Sequence, residues 1–332
     1  MINTISIEKA LKLKDAVFID TRSPKEFAED NILGAISCPI FSDEERKEIG
    51  ILYKKDQGKA FEKGKAIYES KVDNFIKKYK KFDKNKPIVV YCWRGGIRSE
   101  TITKLIESLG YNAFQLVGGH KAFRGFIRDK LENYKLPFKL VVLQGLAGCG
   151  KTDLIKELKP SIDLEELAGH RSSLFGAIGL EPKSQKMFES RLWFKLEELK
   201  QEKTVFIEGE AKKIGNIFVP DFLFGAMQKA MTVYVNTSLK ERVKRIVRDY
   251  FSHGEDEEIK NIISKLKVSL SNKVVEEMHK QVDNKEYEKV AEHLLVKYYD
   301  DRYVHANKDI KYSFEVNNDS VEKVVKELVK LL

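Results

Sequence analysis

A cysteine stands at the head of the run Tyr91-Cys92-Trp93-Arg94-Gly95-Gly96-Ile97-Arg98-Ser99. Residues 88–91 read as a buried strand entered through Pro87, and residues 100–109 as a helix stopped by Gly110. A loop that leaves a strand and opens a helix aims backbone N–H groups at whatever lies above it, in a field that favours negative charge. Gly95 and Gly96 permit the tight dihedrals of an anion cradle, walled by Trp93, Arg94 and Ile97. Arg98 brings a forked cation suited to an oxyanion. A thiol in that position is expected to have a lowered pKa and to react as thiolate, the nucleophile that sulfur, selenium or phosphoryl transfer requires. The alternative is a buried structural cysteine, which the Gly-Gly pair and the arginine disfavour.

A second constellation, Gly145-Leu146-Ala147-Gly148-Cys149-Gly150-Lys151-Thr152, fits G-x-x-x-x-G-K-T between a strand at 138–143 and a helix at 153–158. Its backbone N–H groups would wrap a diphosphate, with Lys151 neutralising charge and the Thr152 hydroxyl holding magnesium. Gly145, Gly148 and Gly150 shape that loop, and Cys149 contributes its backbone more than its sulfur. Glu208 and Glu210, at the end of a strand at 204–207, are candidates for a water-mediated magnesium contact or a base. His170-Arg171-Ser172-Ser173 is a polar stretch in which His170 can serve as acid, base or phosphate ligand. A helix cap at Ser172 or Ser173 is an equal alternative. Arg242, Arg245 and Arg248 form one helical stripe, open to phosphate or RNA contact or to plain solvation. Tyr298, Tyr299, Tyr303 and His305, beside Lys297 and Arg302, suit base stacking, although core packing accounts for most of those rings.

Positioning these groups requires two sheets. From residue 5 to 131 short β-rich runs, at 16–19, 88–91 and 113–116, alternate with helical segments, the pattern of a mainly parallel α/β domain. Residues 132–137 form a short polar linker ending in Pro137. Strands at 138–143, 204–207, 232–235 and 314–316 then predict a second α/β domain. Val321, Val324, Val325, Leu328 and Leu332 fall at helical spacing and close the chain with an amphipathic helix. The expected organisation is a first domain at 1–133 and a phosphate-loop domain at 137–332, with a C-terminal helical segment that contacts RNA.

Composition bounds the reading. The chain has 332 residues, 42% hydrophobic, enough for two cores and too rich in apolar residues for disorder. No apolar run approaches the roughly 18 residues of a membrane span, and the N-terminus has no leader pattern. Three scattered cysteines, Cys38, Cys92 and Cys149, argue against a disulfide framework and for a reducing, cytoplasmic compartment. No Cys/His group has zinc spacing. The net charge of +9 suits an acidic partner such as RNA, or simple solubility.

The first half resembles a rhodanese domain. Ile19-Asp20-Thr21-Arg22-Ser23-Pro24-Lys25-Glu26-Phe27 with Asn31-Ile32-Leu33-Gly34-Ala35-Ile36 matches its opening motif, Cys92–Ser99 its active loop, and Gln115-Leu116-Val117-Gly118-Gly119-His120 its closing motif. The resemblance implies a persulfide, or its selenium analogue, on Cys92. Five residues separate Cys92 from Arg98, where common rhodanese loops have four. Phosphatases of the rhodanese fold also have five, so the wider cradle fits selenophosphate and a phosphate ester alike.

A rhodanese-type loop followed by a P-loop domain resembles the tRNA 2-selenouridine synthase family, through both loops, residues 163–176, Gln185-Lys186-Met187-Phe188-Glu189, and Glu208-Gly209-Glu210 through Ile214-Gly215. The family implies geranylation of wobble 2-thiouridine in the tRNAs for lysine, glutamate and glutamine. Replacement of the S-geranyl group by selenium follows. Geranyl diphosphate and selenophosphate would be substrates, supplied from outside, with magnesium as an optional ion, no tightly bound cofactor and no membrane partner. Cys92 would handle selenium and the P-loop would hold diphosphate. A nucleotide kinase or ATPase fused to a rhodanese sulfurtransferase or phosphatase domain, and an RNA-binding adaptor, are the alternatives.

Overall fold

The computed structural model describes residues 2–307 and 310–331. The chain divides into two compact units, residues 1–133 with 189–194, and residues 134–188 with 195–332. Leu332, assigned above to the closing helix, lies outside the described residues.

In the first unit the strands β1 (Thr4–Ile5), β2 (Val17–Asp20), β3 (Ile36–Ser37), β4 (Ile88–Tyr91) and β5 (Ala113–Leu116) form one sheet in the order β1-β5-β4-β2-β3. Every pairing in it is parallel. All four residues of β4 are buried, as a central parallel strand covered on both faces demands. The chain therefore leaves β4 at the middle of the sheet edge, where crevices form at the carboxyl ends of strands.

Between β3 and β4 lies a helical hairpin, Asp43–Lys55 and Gln57–Tyr79, that the sequence pattern did not predict. Its caps explain it. Ser42 and Glu45 form a reciprocal capping box, and Asp56 ends the first helix while its carboxylate caps the second at Lys59 N–H. Three acidic residues open the first helix and two lysines close it, in accord with the helix dipole. The second helix buries Ala60, Phe75 and Tyr79, whereas the first buries no residue fully.

In the second unit β6 (Lys139–Gln144), β7 (Ser161–Ile162), β8 (Thr204–Glu208), β11 (Met231–Asn236) and β12 (Phe314–Asn317) form a parallel sheet in the order β12-β11-β6-β8-β7. The short strands β9 (Lys213–Ile214) and β10 (Ile217–Phe218) make an antiparallel hairpin. Again the loop-bearing strand, β6, is central, and its neighbour β8 places Glu208 opposite Leu143. A separate helical core follows β11, with Ile259, Val275, Met278, Val290 and Leu295 at its centre.

Two helices begin earlier than their apolar spacing suggests. Ile97–Ser108 starts directly after Gly96, and Lys151–Glu157 directly after Gly150. Neither cap residue has a side chain to announce the start, so the first turn of each helix is hidden inside its glycine motif.

Candidate active-site loops

Cys92 is 3% exposed at the floor of its loop. Gly96 N–H and the Ser99 hydroxyl each donate to its Sγ at 3.2 Å. Ser99 Oγ also lies 3.0 Å from Gly96 O and accepts from Gln115 Nε2 at 2.9 Å. Gln115 further donates to the carbonyls of Gly95 and Gly96, so one amide fixes both the loop backbone and the hydroxyl that faces sulfur. Burial pushes the Cys92 thiol up. The Ser99 hydroxyl, the charge of Arg98 and the N–H groups of Ser99 and Gly96 together outweigh it and hold the thiol below its ordinary value.

Two glycines seat the loop on its neighbour. Gly95 has φ +69°, and a Cβ there would stand 2.7 Å from Leu116 O. Gly119 has φ +56°, and a Cβ would stand 2.6 Å from Gly95 N. Beyond them His120 N–H donates to Cys92 O at 2.8 Å and Lys121 N–H to Trp93 O at 2.9 Å. The Gly118-Gly119 motif after β5 is thus the mould of the cysteine loop. Trp93 lies tilted 5.7 Å from the His120 ring, while Arg94, Gly96 and Ile97 are exposed at the mouth. Arg98 reaches Glu26 Oε2 at 3.4 Å. Glu26 belongs to a capping box with Ser23, so the opening motif orients the arginine whose charge favours the thiolate.

The phosphate loop has its own bracing. Gly145, Gly148 and Gly150 adopt φ of 157°, 75° and 91°. A Cβ on Gly150 would meet Asn318 Nδ2 at 2.5 Å and Arg245 Cζ at 3.0 Å. Behind the loop, Arg242 Nε donates to Ala147 O at 2.8 Å, Arg245 Nη1 to Cys149 O at 3.1 Å and Asn318 Nδ2 to Cys149 O at 2.9 Å. Arg242 also grips the Asp300 carboxylate, and Arg248 pairs with Asp153 at 3.0 Å. The arginine stripe is therefore occupied with the loop's carbonyls and with carboxylates. Lys151 Nζ donates to Gly145 O at 3.2 Å and lies 5.7 Å from the centre of the Tyr303 ring.

Carboxylates gather beside Thr152. Its hydroxyl donates to Glu165 Oε2 at 3.1 Å, and Glu165 N–H approaches Glu208 Oε2 at 3.4 Å. Burial, reinforced by Glu210, pushes Glu165 up to about 8. Burial also holds Glu208 well above the carboxylate range, with Glu165 adding to it, and raises Glu210. Lys151 is raised as well: burial opposes its charge, but Cys149, Tyr303, Glu210 and Glu165 outweigh burial. Glu208 Oε1 is buried with no hydrogen-bond partner. Among the described residues no group of three or more His, Cys, Asp or Glu is arranged to hold a metal ion alone.

His170 sits between two glycines: a Cβ on Gly176 would stand 2.6 Å from its ring and one on Gly215 2.9 Å. Burial, then Arg171, lowers its pKa. Arg171 donates to Ile178 O at 2.8 Å and lies over the Tyr250 ring, so it shapes its loop rather than standing free. Ser172 has φ +49°, outside cap geometry, and caps no helix; the turn that follows has Ser173 Oγ donating to Tyr250 at 3.1 Å. Tyr299 is buried in the helical core and Tyr298 and Tyr303 pack against it. Ser99, Gln115 and Glu165 are the site neighbours that motif reading gave no role, and Tyr303, read as a stacking candidate, lies instead beside Lys151. Ser99 and Gln115 stood inside the matched motifs, but only the fold shows that their side chains meet.

These loops on two parallel sheets define a fused sulfurtransferase-type and P-loop enzyme. Residues 6–125 match the family model for the rhodanese-like domain, and residues 138–268 that for the tRNA 2-selenouridine synthase AAA domain. The tRNA 2-selenouridine synthase of Pseudomonas syringae pv. syringae (strain B728a) is 32% identical over 308 residues, 88% of this chain and 82% of that protein. The protein of the same name from Bordetella bronchiseptica (strain ATCC BAA-588 / NCTC 13252 / RB50) is 34% identical over 281 residues, 80% of this chain and 76% of that protein. The chain belongs to the tRNA 2-selenouridine synthase family. It is a transferase, and that membership displaces the kinase, phosphatase and adaptor alternatives. No helix among the described residues is long and apolar enough to cross a membrane.

Proposed function

We propose that this chain geranylates the wobble 2-thiouridine of the tRNAs for lysine, glutamate and glutamine and then exchanges the S-geranyl group for selenium. The carrying observation is that one chain holds a buried cysteine biased towards thiolate and a separate, braced phosphate loop. The P-loop suits geranyl diphosphate, because a diphosphate leaving group needs backbone N–H donors and a cation such as Lys151. The cysteine loop suits selenophosphate, whose anionic end fits the N–H groups beside Arg98. In the exchange the C2–S bond of the alkylated base breaks and a C2–Se bond forms. Geranyl thiol leaves, and water carries the phosphoryl group away as phosphate. Thr152 and Glu165, with Glu208 behind them, are hard oxygen donors that fit magnesium completed by diphosphate and water. Bound there, the ion would neutralise diphosphate charge. The helical segment before β12 is the proposed tRNA contact, as its exposed lysines, among them Lys273, Lys280 and Lys297, suit a phosphate backbone.

Mass spectrometry of wobble nucleosides tests the division of labour. In a deletion strain, Cys92→Ala should abolish 2-selenouridine and accumulate the S-geranyl nucleoside. Lys151→Ala should abolish both products, while the purified variant should still convert pre-geranylated RNA. Undiminished 2-selenouridine with Cys92→Ala would overturn the assignment.

A further inference from the structure

One flank of the phosphate loop is apolar and aromatic, which a diphosphate alone does not call for. Ala147, in the loop, and Tyr303, on the helix Asp300–Asn307, both pack against the same helical core, in which Tyr250 and Tyr299 are buried. Tyr303 is half-buried, and its ring centre lies 5.7 Å from Lys151 Nζ, within the roughly 6 Å reach of a cation–π contact. Burial, with Lys151 opposing, pushes its hydroxyl up to about 12, so a neutral ring and not a phenolate borders the site.

The ring is held in that place. Asp300, one helical turn before Tyr303, grips Arg242, whose Nε donates to Ala147 O at 2.8 Å. One arginine thus clamps the ring-bearing helix to the phosphate loop. Chemistry identifies what such a face serves. When an allylic diphosphate loses its diphosphate, positive charge develops on the allyl carbons. The loop N–H groups and Lys151 receive the departing negative charge. The positive fragment needs a partner that stabilises it without bonding, because water or a carboxylate would capture it. An aromatic face does this through its quadrupole. A ring that already faces the ammonium of the phosphate-binding lysine stands where that charge arises.

We propose that Tyr303 is a catalytic residue of the alkylation step: its ring face stabilises the allylic cation formed from geranyl diphosphate, so that transfer to sulfur is dissociative. This rests on the reading above that the phosphate loop holds geranyl diphosphate. The bond from C1 to the diphosphate oxygen breaks, and its electron pair leaves with diphosphate. The sulfur of 2-thiouridine then gives a lone pair to C1 and forms the S–C bond. The N3 proton of the base passes to water, which leaves the alkylated base neutral.

A fluorination series in the full-length protein tests the ring. Tyr303→Phe is the reference, and mono-, di- and trifluorophenylalanine at the same position drain the face while barely changing its shape. With geranyl diphosphate and 2-thiouridine RNA, kcat should fall stepwise along the series while KM for geranyl diphosphate holds. Tyr303→Leu should be about thirtyfold slower than the reference. The fluorinated proteins serve if that variant fails to fold. A ring that only packs would give a flat series, and a flat series would overturn the proposal. Calorimetry with geranyldimethylammonium, a stable cation of the same chain, in the presence of inorganic diphosphate reads the ring without turnover. Affinity for the ammonium should fall along the same series while affinity for inorganic diphosphate alone stays constant. No binding of the ammonium, or equal binding across the series, would also overturn the proposal. A wild type that makes no S-geranyl RNA counts against the proposed function, while the calorimetry still decides the ring.

Discussion

At the scale of single residues, the chemistry of Cys92 is set by competition. Burial raises the thiol, and a hydroxyl, an arginine and two backbone N–H groups lower it further than burial raises it. Removing one donor should tip the balance. In Ser99→Ala the pH midpoint of Cys92 alkylation by iodoacetamide, followed by peptide mass spectrometry, should move to higher pH, and selenation near neutrality should slow. An unchanged midpoint would assign the lowered thiol to Arg98 and the backbone alone. Glu165 offers a test of opposite kind. Its folded value of about 8 stands above the ordinary 4.5. The stability tied to its protonated form is complete below the unfolded value and is lost as pH rises through the folded one. Glu165→Gln keeps an acceptor for Thr152 and abolishes that loss. Its melting temperature should exceed that of the wild type at about pH 8.5, and the two should converge near pH 4.

At the scale of elements, the two loops owe their geometry to neighbouring strands. The Gly118-Gly119 turn after β5 moulds the cysteine loop, and the segment after β7 brings Glu165 to Thr152. The helical hairpin depends on its caps. Ser42→Ala should cost about 1 kcal/mol in urea unfolding, the usual worth of an N-cap. Both glycine-rich loops were legible in the sequence because each is a contiguous run whose spacing is dictated by backbone geometry. Strands β4, β5, β6, β8 and β11 were legible too, as short apolar runs. The hairpin was not, because its apolar residues divide between the core, at Phe75 and Tyr79, and exposed positions, at Ile51, Tyr53 and Phe61, and leave no clean stripe. Glu165 was not, because nothing local in Leu164-Glu165-Glu166 tells which carboxylate turns towards Thr152. The arginine stripe was seen as a stripe, but spacing along a helix carries no information about the carbonyls it meets.

At the scale of the whole molecule, the two proposed chemistries need not be coupled to be effective. Mixing the purified Cys92→Ala and Lys151→Ala proteins with 2-thiouridine RNA, geranyl diphosphate and selenophosphate should restore 2-selenouridine if the alkylated RNA is released between steps. Failure of the mixture, with each variant active in its own half-reaction, would mean direct transfer. The bracing of the phosphate loop carries a further consequence. Asp300 holds Arg242, Tyr303 covers Lys151, and Asn318 follows the edge strand β12, all beyond residue 268, where the matched AAA-domain family model ends. A fragment trimmed to that boundary would keep every glycine and the lysine of the motif, yet lose the scaffolding behind them. Such a fragment should be a motif without a socket, and the C-terminal helices are better regarded as the back of the phosphate site than as an appendix to it.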